Sequence, residues 1–242
     1  MINKVQNCED QKATLASSTN EPIENSAPKP TWHLQKAENN LNKAFKEDSE
    51  MQLLAVLKKN SFLFHELYSR KFGIQPVFHE VEFGNTYRCD FVWLNDNSDG
   101  PEWTIVELEK PNMRLFNADG KPSKALNDSI EQIKTWQRYF SEYPAEKKRI
   151  FGAVAKFRFI LVAGNKADWS TEAAAKWRIY HNSNSTIELR TTNVFHKSLE
   201  LIKKAPESFW SFEEHPESLA YSYLKSYWAE YGYMDFWRKA LQ

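Results

Sequence analysis

The sequence predicts an α/β domain, and three observations carry that expectation. Apolar residues recur at helical spacing between Trp32 and Tyr68. Three strand-like stretches follow in succession, over 72–83, 87–94 and 103–111. Helical and strand-like stretches then alternate to about Lys204. The resulting order, helix, three strands, helix, strand, helix, strand, helix, is an α/β plan. At 242 residues the chain is long enough for one sizeable domain with appendages.

Residues 1 to about 30 are rich in Asn, Ser, Glu, Lys and Pro and poor in large apolar side chains, so a disordered tail is expected there. Leu34, Ala37, Leu41 and Phe45 then have the spacing of a short docking helix, which completes an appendage over 1–45. A helix is expected over 48–68, with Met51, Leu54, Ala55 and Leu57 forming its apolar face and Asn60-Ser61 interrupting it. Val77, His79, Val81 and Phe83 alternate as a half-buried strand does, and His79 is expected on a sheet face, not as a ligand. Gly84-Asn85 turns into the strand Tyr87–Leu94. The polar run Asn95–Pro101 reads as the turn into the next, Trp103–Pro111.

These last two strands carry acids that burial does not explain. Asp90 interrupts an apolar, aromatic strand, while Glu107 and Glu109 close another. Strand side chains alternate with period two, so Glu107 and Glu109 share one face and Val106 and Leu108 the other. Paired as a hairpin, the strands bring Asp90 to the same patch. Three converging carboxylates repel one another unless a cation or other partner compensates them. A divalent cation on oxygen ligands, Mg2+, Mn2+ or Ca2+, is the simplest compensation; the alternative is a solvated strand end with Asp90 salt-bridged.

After Pro111 a loop carrying Arg114 and Lys121 passes beside the acids, in reach of a phosphate. Ser123 is a good N-cap for a helix running to about Phe140, with Leu126, Ile130, Ile133 and Tyr139 as packing positions. Gln132 falls among these apolar residues, where its amide is either satisfied in the core or able to orient water or a phosphate oxygen. Between Lys121 and Arg158 stand nine Lys or Arg against four Asp or Glu, and Lys147-Lys148-Arg149 is the densest cluster, either phosphate-binding or simply solvated. The apolar run Phe157–Val162 suits a central strand covered on both faces. Ser170 is expected to cap a helix to Tyr180, followed by a strand over Ile187–Thr192 and a helix from Asn193 to Lys204.

The segment 206–242 gathers aromatic residues densely enough that it must be buried against something. Leu219, Tyr223, Tyr227 and Glu230 have helical spacing, which predicts one or two helices packing on the domain or at a subunit interface. Few basic residues interleave with the rings, so base stacking is the weaker alternative. Equal numbers of acidic and basic residues, 32 each, exclude an indiscriminate nucleic-acid binder; any such contact must come from a local basic surface. Cys8 and Cys89 are the only cysteines and give no disulfide framework. Without a long apolar run, signal peptide or lipidation motif, the expectation is a cytoplasmic protein without membrane contact.

The run Val106-Glu107-Leu108-Glu109-Lys110-Pro111, followed by Leu115-Phe116, Gly120-Lys121-Pro122-Ser123, Leu126 and Ile130-Glu131-Gln132-Ile133, resembles the Shedu antiphage nuclease family, within the PD-(D/E)XK nuclease superfamily. The likeness extends from about Glu50 to about Asn193 and includes the helix start Glu50-Met51-Gln52-Leu53-Leu54. It implies a restriction-endonuclease-like core over 46–205, a central mixed sheet flanked by helices. It also implies Mg2+-dependent cleavage of phage or plasmid DNA, Mn2+ being able to substitute, by a homo-oligomer, dimer or tetramer. Asp90 and Glu107 map to the two metal-binding acids, and Glu109 occupies the usual lysine position with Lys110 following it. An E-x-E variant occurs in some restriction endonucleases of the superfamily. Regular alternation would turn Lys110 away from the acids unless the strand bulges before Pro111. Gln132 with Trp136 loosely resembles the superfamily's QxxxY element. The implied site is thus Asp90, Glu107, Glu109, Lys110 and Gln132, with Asp90, Glu107 and Glu109 on the metal, Arg114, Lys121 and Lys124 toward DNA, and Glu50 as a supporting acid. A catalytically weakened nuclease fold that binds DNA ends or a protein is the alternative. A glycosidase using Glu107 and Glu109 is disfavoured, because same-face neighbours on one strand do not flank a glycosidic bond.

Overall fold

A six-stranded mixed sheet in the order β5-β4-β3-β2-β1-β6 divides the computed structural model, which describes residues 32–71 and 73–241. The expected disordered tail lies outside the described residues. The strands are β1 (Phe78–Phe83), β2 (Tyr87–Asn97), β3 (Gly100–Leu108), β4 (Lys156–Val162), β5 (Ile187–Arg190) and β6 (Leu219–Ala220). β1, β2 and β3 are antiparallel; β4 lies parallel to β3, β5 to β4 and β6 to β1. The helices are α1 (Leu34–Lys46), α2 (Glu50–Lys58), α3 (Lys124–Glu142), α4 (Pro144–Phe151), α5 (Lys166–Trp169), α6 (Glu172–Asn184), α7 (Val194–Lys204), α8 (Leu224–Glu230) and α9 (Gly232–Ala240).

Strand alternation separates two cores. Trp103, Ile105, Phe159 and Leu161 point to the layer of α3, α4, α8 and α9, where they meet Ile133, Trp136, Phe151 and Trp228. Val106, Leu108, Ile160 and Val162 point to the layer of α1, α2 and α7, where they meet Leu41, Leu57, Phe64 and Phe195. A sheet buried on both faces explains the unbroken apolar run of β4. The phase of alternation changes at Glu80 and Asp90: Phe78 packs in the same core as Val81, and Cys89 in the same core as Val92. Glu80 adopts a left-handed backbone, φ +53°, at this break.

Several local expectations shift. Asn95–Asn97 and Gly100-Pro101 belong to the β2–β3 ladder, which leaves only Ser98-Asp99 as the turn. The buried face of α2 is Leu53, Val56 and Leu57, while Met51 is 78% exposed, because docking on α1 and the sheet selects the other side of the helix. Pro144 starts an additional helix, α4, in the stretch carrying Lys147-Lys148-Arg149. Ser170 closes α5, and Thr171 caps α6 by accepting from the Ala174 amide at 3.3 Å.

Residues 206–241 pack on both layers. Phe209 and Phe212 enter the α7 side, and Leu224, Trp228 and Met234 the other. The buried spacing Leu224/Trp228 replaces the expected Tyr223/Tyr227 face; Tyr223 is exposed and Leu219 supplies the short edge strand β6. Tyrosine hydroxyls fasten this segment to the sheet and to the chain entering it: Tyr233 donates to the Asn97 carbonyl of β2 at 2.6 Å, and Tyr227 to Gln75 Oε1, ahead of β1, at 2.7 Å.

Candidate active site

Where the β2–β3 ladder ends, the acids begin. The last paired residues are Phe91 and Val106, so Asp90 and Glu107 come next on their strands. Asp90 Oδ2 accepts the Leu108 backbone N–H at 2.8 Å, so a side chain takes the place of a ladder carbonyl. The Glu109 amide remains bonded to the Val162 carbonyl at 2.9 Å, holding the strand direction one residue past Leu108. Glu107 therefore continues the Trp103–Ile105 face beneath α3, and Glu109 follows it.

Helix α3 meets these acids with two polar side chains on one edge. Gln132 Nε2 donates to Glu107 Oε1 and Ser129 Oγ donates to Glu109 Oε1, both at 2.5 Å. Gln132 is an exposed residue whose amide reaches inward to Glu107, so of its two readings the amide satisfied within the apolar core does not hold; Trp136 is buried against Phe83. Ser129 is 4% exposed and was missed by sequence reasoning. Its signal was a small hydroxyl one helical turn before Gln132, on the stripe of Leu126, Ile130 and Ile133. From the opposite layer, Glu50 opens α2 behind its N-cap Ser49 and acts on all three acids through its charge.

Burial dominates the electrostatics. It pushes the Asp90 carboxyl up to about 7, aided by the Glu50 and Glu109 charges and opposed by the Leu108 N–H and by Arg88. Burial, then Asp90, Glu109 and Glu50, raise Glu107 well above the usual carboxylate range against the Gln132 bond. Glu109 is raised by burial and by Glu50, and lowered by Ser129 and Lys110. Glu107 is 9% exposed, and its Oε2 is buried without a hydrogen-bond partner. A buried carboxylate oxygen left bare among other acids is costly unless a cation answers it. The donors are oxygen only, which fits Mg2+ or Mn2+. Among the described residues no three His, Cys, Asp or Glu side chains are already gathered into a cation cage.

The remaining candidate residues lie around the rim. Lys110 follows the end of β3, so strand alternation no longer governs it; it is exposed, and its charge is felt at Glu109. Arg114 is exposed and donates Nε to the Phe116 carbonyl at 3.0 Å. Lys121 is exposed, 3.2 Å from Asp119, and Lys124 is exposed on the first turn of α3. Their loop is bonded to itself and to the core: Phe116 bridges Pro122, Leu115 is buried, and the Ser123 amide bonds the Leu115 carbonyl at 2.8 Å. Asn112 ties its start to the α1–α2 corner, its amide N–H on Asp48 Oδ1 at 2.7 Å and its Nδ2 on the Phe45 carbonyl at 3.0 Å. Gly164, at φ +62°, ends β4 where a Cβ would collide with Leu115, so this loop seats only on glycine.

Lys147-Lys148-Arg149 is elsewhere. The chain after α4 bonds the start of β3, Ala155 N–H to the Pro101 carbonyl at 3.0 Å. The acids begin toward the other end of that strand, roughly 20 Å from Pro101 at about 3.3 Å per residue. His79 bonds Ser218 Oγ at 2.8 Å and joins no ligand group. No helix among the described residues is long and apolar enough to cross a membrane.

A family model described as the C-terminal part of the Shedu protein SduA matches residues 47–194. The match takes in Glu50, Asp90, Glu107, Glu109, Lys110, Ser129 and Gln132. No curated protein matches the chain.

Proposed function

The chain belongs to the Shedu family, and on that premise we propose that it is a metal-dependent DNA endonuclease of the PD-(D/E)XK type, acting in defence against phage or plasmid DNA. The observation that carries this assignment is the bare, buried Oε2 of Glu107, set among Asp90, Glu109 and Glu50. Asp90, Glu107 and Glu109 would hold Mg2+, with Mn2+ able to substitute. The bound ion would polarise the scissile phosphate and acidify a water.

The chain's own residues prepare that site. Leu108 N–H occupies Asp90 Oδ2 and leaves Oδ1 to the site; Gln132 occupies Glu107 Oε1 and leaves Oε2. Ser129 holds Glu109 Oε1 in the same way, so each acid is oriented by one donor. Lys110 is exposed next to Glu109 in the chain, its charge acts on that acid, and it would offset charge developing on the phosphate, the work usually done by the superfamily lysine. Exposed Arg114, Lys121 and Lys124 would contact the DNA backbone. The assembly would be a homo-oligomer, a dimer or tetramer, in the cytoplasm.

Glu109 at the position of that lysine favours a second reading, a catalytically weakened fold that binds DNA ends or a protein. Cleavage of linear and circular DNA with Mg2+, Mn2+ or EDTA separates the two. Metal-dependent cutting by the parent, lost in Asp90→Ala and Glu107→Ala, is the expected outcome, and Lys110→Ala reports on that side chain. A folded parent that binds DNA and cuts under no metal condition would favour the second reading.

A further inference from the structure

We propose that Lys71, Arg158, Arg190 and Lys197 form a second site, for a phosphate-bearing ligand, on the face of the sheet opposite the acids. This inference does not depend on the nuclease assignment. Arg158 on β4 and Glu188 and Arg190 on β5 share the strand face of Ile160 and Val162, which packs toward α7. Lys197 comes from α7, and Glu66 from the short 3-10 turn Ser61–Glu66. Glu107 projects from the other face, beneath α3.

The charges here do not balance. Glu188 is shared between Arg190 and Arg158, whose Nε and Nη2 reach Glu188 Oε2 at 3.0 and 2.5 Å. Arg158 Nη1 donates to the Leu67 carbonyl at 2.6 Å, and Glu66 pairs with Lys197. Four cations thus face two carboxylates within the cluster. Lys71 is the odd one: its ammonium donates to the His65 carbonyl and has no carboxylate partner among the described residues. Of the charges acting on it, Glu66 comes first and attracts it, while the next three, Lys197, Arg158 and Arg190, are cations. Arg190 Nε also lacks an acceptor among the described residues.

A half-buried ammonium beside two guanidiniums is unfavourable until an anion neutralises it. Lys71 retains ammonium protons to donate, and Arg190 is 43% exposed, so both are available to a ligand oxygen. A dianionic phosphate supplies both the charge and the several acceptors that such a cluster of donors requires. The neighbouring His65 is held neutral by burial and by Lys71, so it adds a ring rather than a fifth positive charge.

Calorimetric titration of the full chain at low ionic strength with EDTA present tests the site, using inorganic phosphate, a nucleoside triphosphate and a short DNA duplex as probes. The parent is expected to bind phosphate or the triphosphate saturably. Lys71→Gln/Arg190→Gln should bind at least about tenfold more weakly, the loss of one charge-assisted bond. Lys71→Gln alone removes a cation disfavoured by burial and by Lys197, Arg158 and Arg190, at the loss of its attraction to Glu66, and a cooperative thermal melt of this variant beside the parent keeps the comparison among folded proteins. Displacement of the triphosphate by duplex would identify the ligand as a nucleic-acid backbone; binding of the small anions undisturbed by duplex would identify a free effector. Absence of saturable binding by all three probes, or unchanged affinity in the double variant, would overturn the proposal.

Discussion

Replacing Glu107 by Gln should stabilise the metal-free protein while removing its response to metal. In the fold the Glu107 carboxyl lies well above its ordinary range because of burial first, then Asp90, Glu109 and Glu50. An acid raised on folding destabilises fully above its folded value, and the penalty vanishes below the unfolded value of about 4.5. Each tenfold rise in proton affinity costs about 1.4 kcal/mol at high pH. Glutamine removes the charge and keeps an oxygen for Gln132, whose bond to Oε1 is 2.5 Å. The new amide nitrogen stands among carboxylate acceptors, where Oε2 had no partner. Relief of a buried, unpaired charge less the imperfect pairing of the amide leaves a gain of about 1–3 kcal/mol at pH 8. In a chain of this size each kcal/mol moves the melting point by about 2–4 °C. Thermal melts of both proteins in EDTA at pH 8 and at pH 4.5 measure it, and the difference should shrink at the lower pH. Mn2+ at a hundred times its Kd should then stabilise the parent by about 2.7 kcal/mol and the variant hardly at all. A Glu107→Gln protein less stable than the parent in EDTA at pH 8, or shifted equally by Mn2+, would refute the reasoning.

Ser129→Ala should lower metal-dependent cleavage and weaken Mn2+ stabilisation about 10–100-fold in affinity, because Glu109 loses its orienting donor; calorimetry with Mn2+ measures the latter. Gly164→Ala should destabilise by about 1–3 kcal/mol through its left-handed backbone and the collision with Leu115, read as a lower urea midpoint at constant slope. Trp228→Ala should lose about 3–5 kcal/mol, since the ring is buried and its Nε1 bonds the Ile150 carbonyl at 2.9 Å; a loss under 1 kcal/mol would mean that the C-terminal segment is peripheral to folding. His65 is lowered by burial, then by Lys71, so the stability its neutral form provides is present above about pH 6.5 and is lost as pH falls below that value. His65→Gln should flatten the urea midpoint between pH 7.5 and pH 5.5 relative to the parent, and an unchanged slope would contradict this.

Much of the architecture follows from local patterns. Period-two alternation separated Val106 and Leu108 from Glu107 and Glu109, and the Ser123 cap and the apolar run of β4 mark real elements, because each pattern reports which side of a strand or helix meets water. The acids of the candidate site were legible for the same reason: burial patterns have no use for Asp90, Glu107 or Glu109 where they stand. The resemblance that named the family was likewise a property of the sequence alone, and the family model matches the same stretch. Local patterns failed where the partner is distant. Leu219 had helical company in sequence, but Phe78 across the sheet makes it a strand; Met51 had an apolar face to join, but docking chose Leu53 and Val56. Only the tertiary structure brought Ser129 and Gln132 of α3 onto the two same-face glutamates and carried Glu50 in from the opposite layer. It also left Lys71 among cations drawn from β4, β5 and α7. Hydrogen bonds and charges act through space, over separations that periodicity along the chain does not encode, so these contacts became definite only once two helical layers had closed on one sheet.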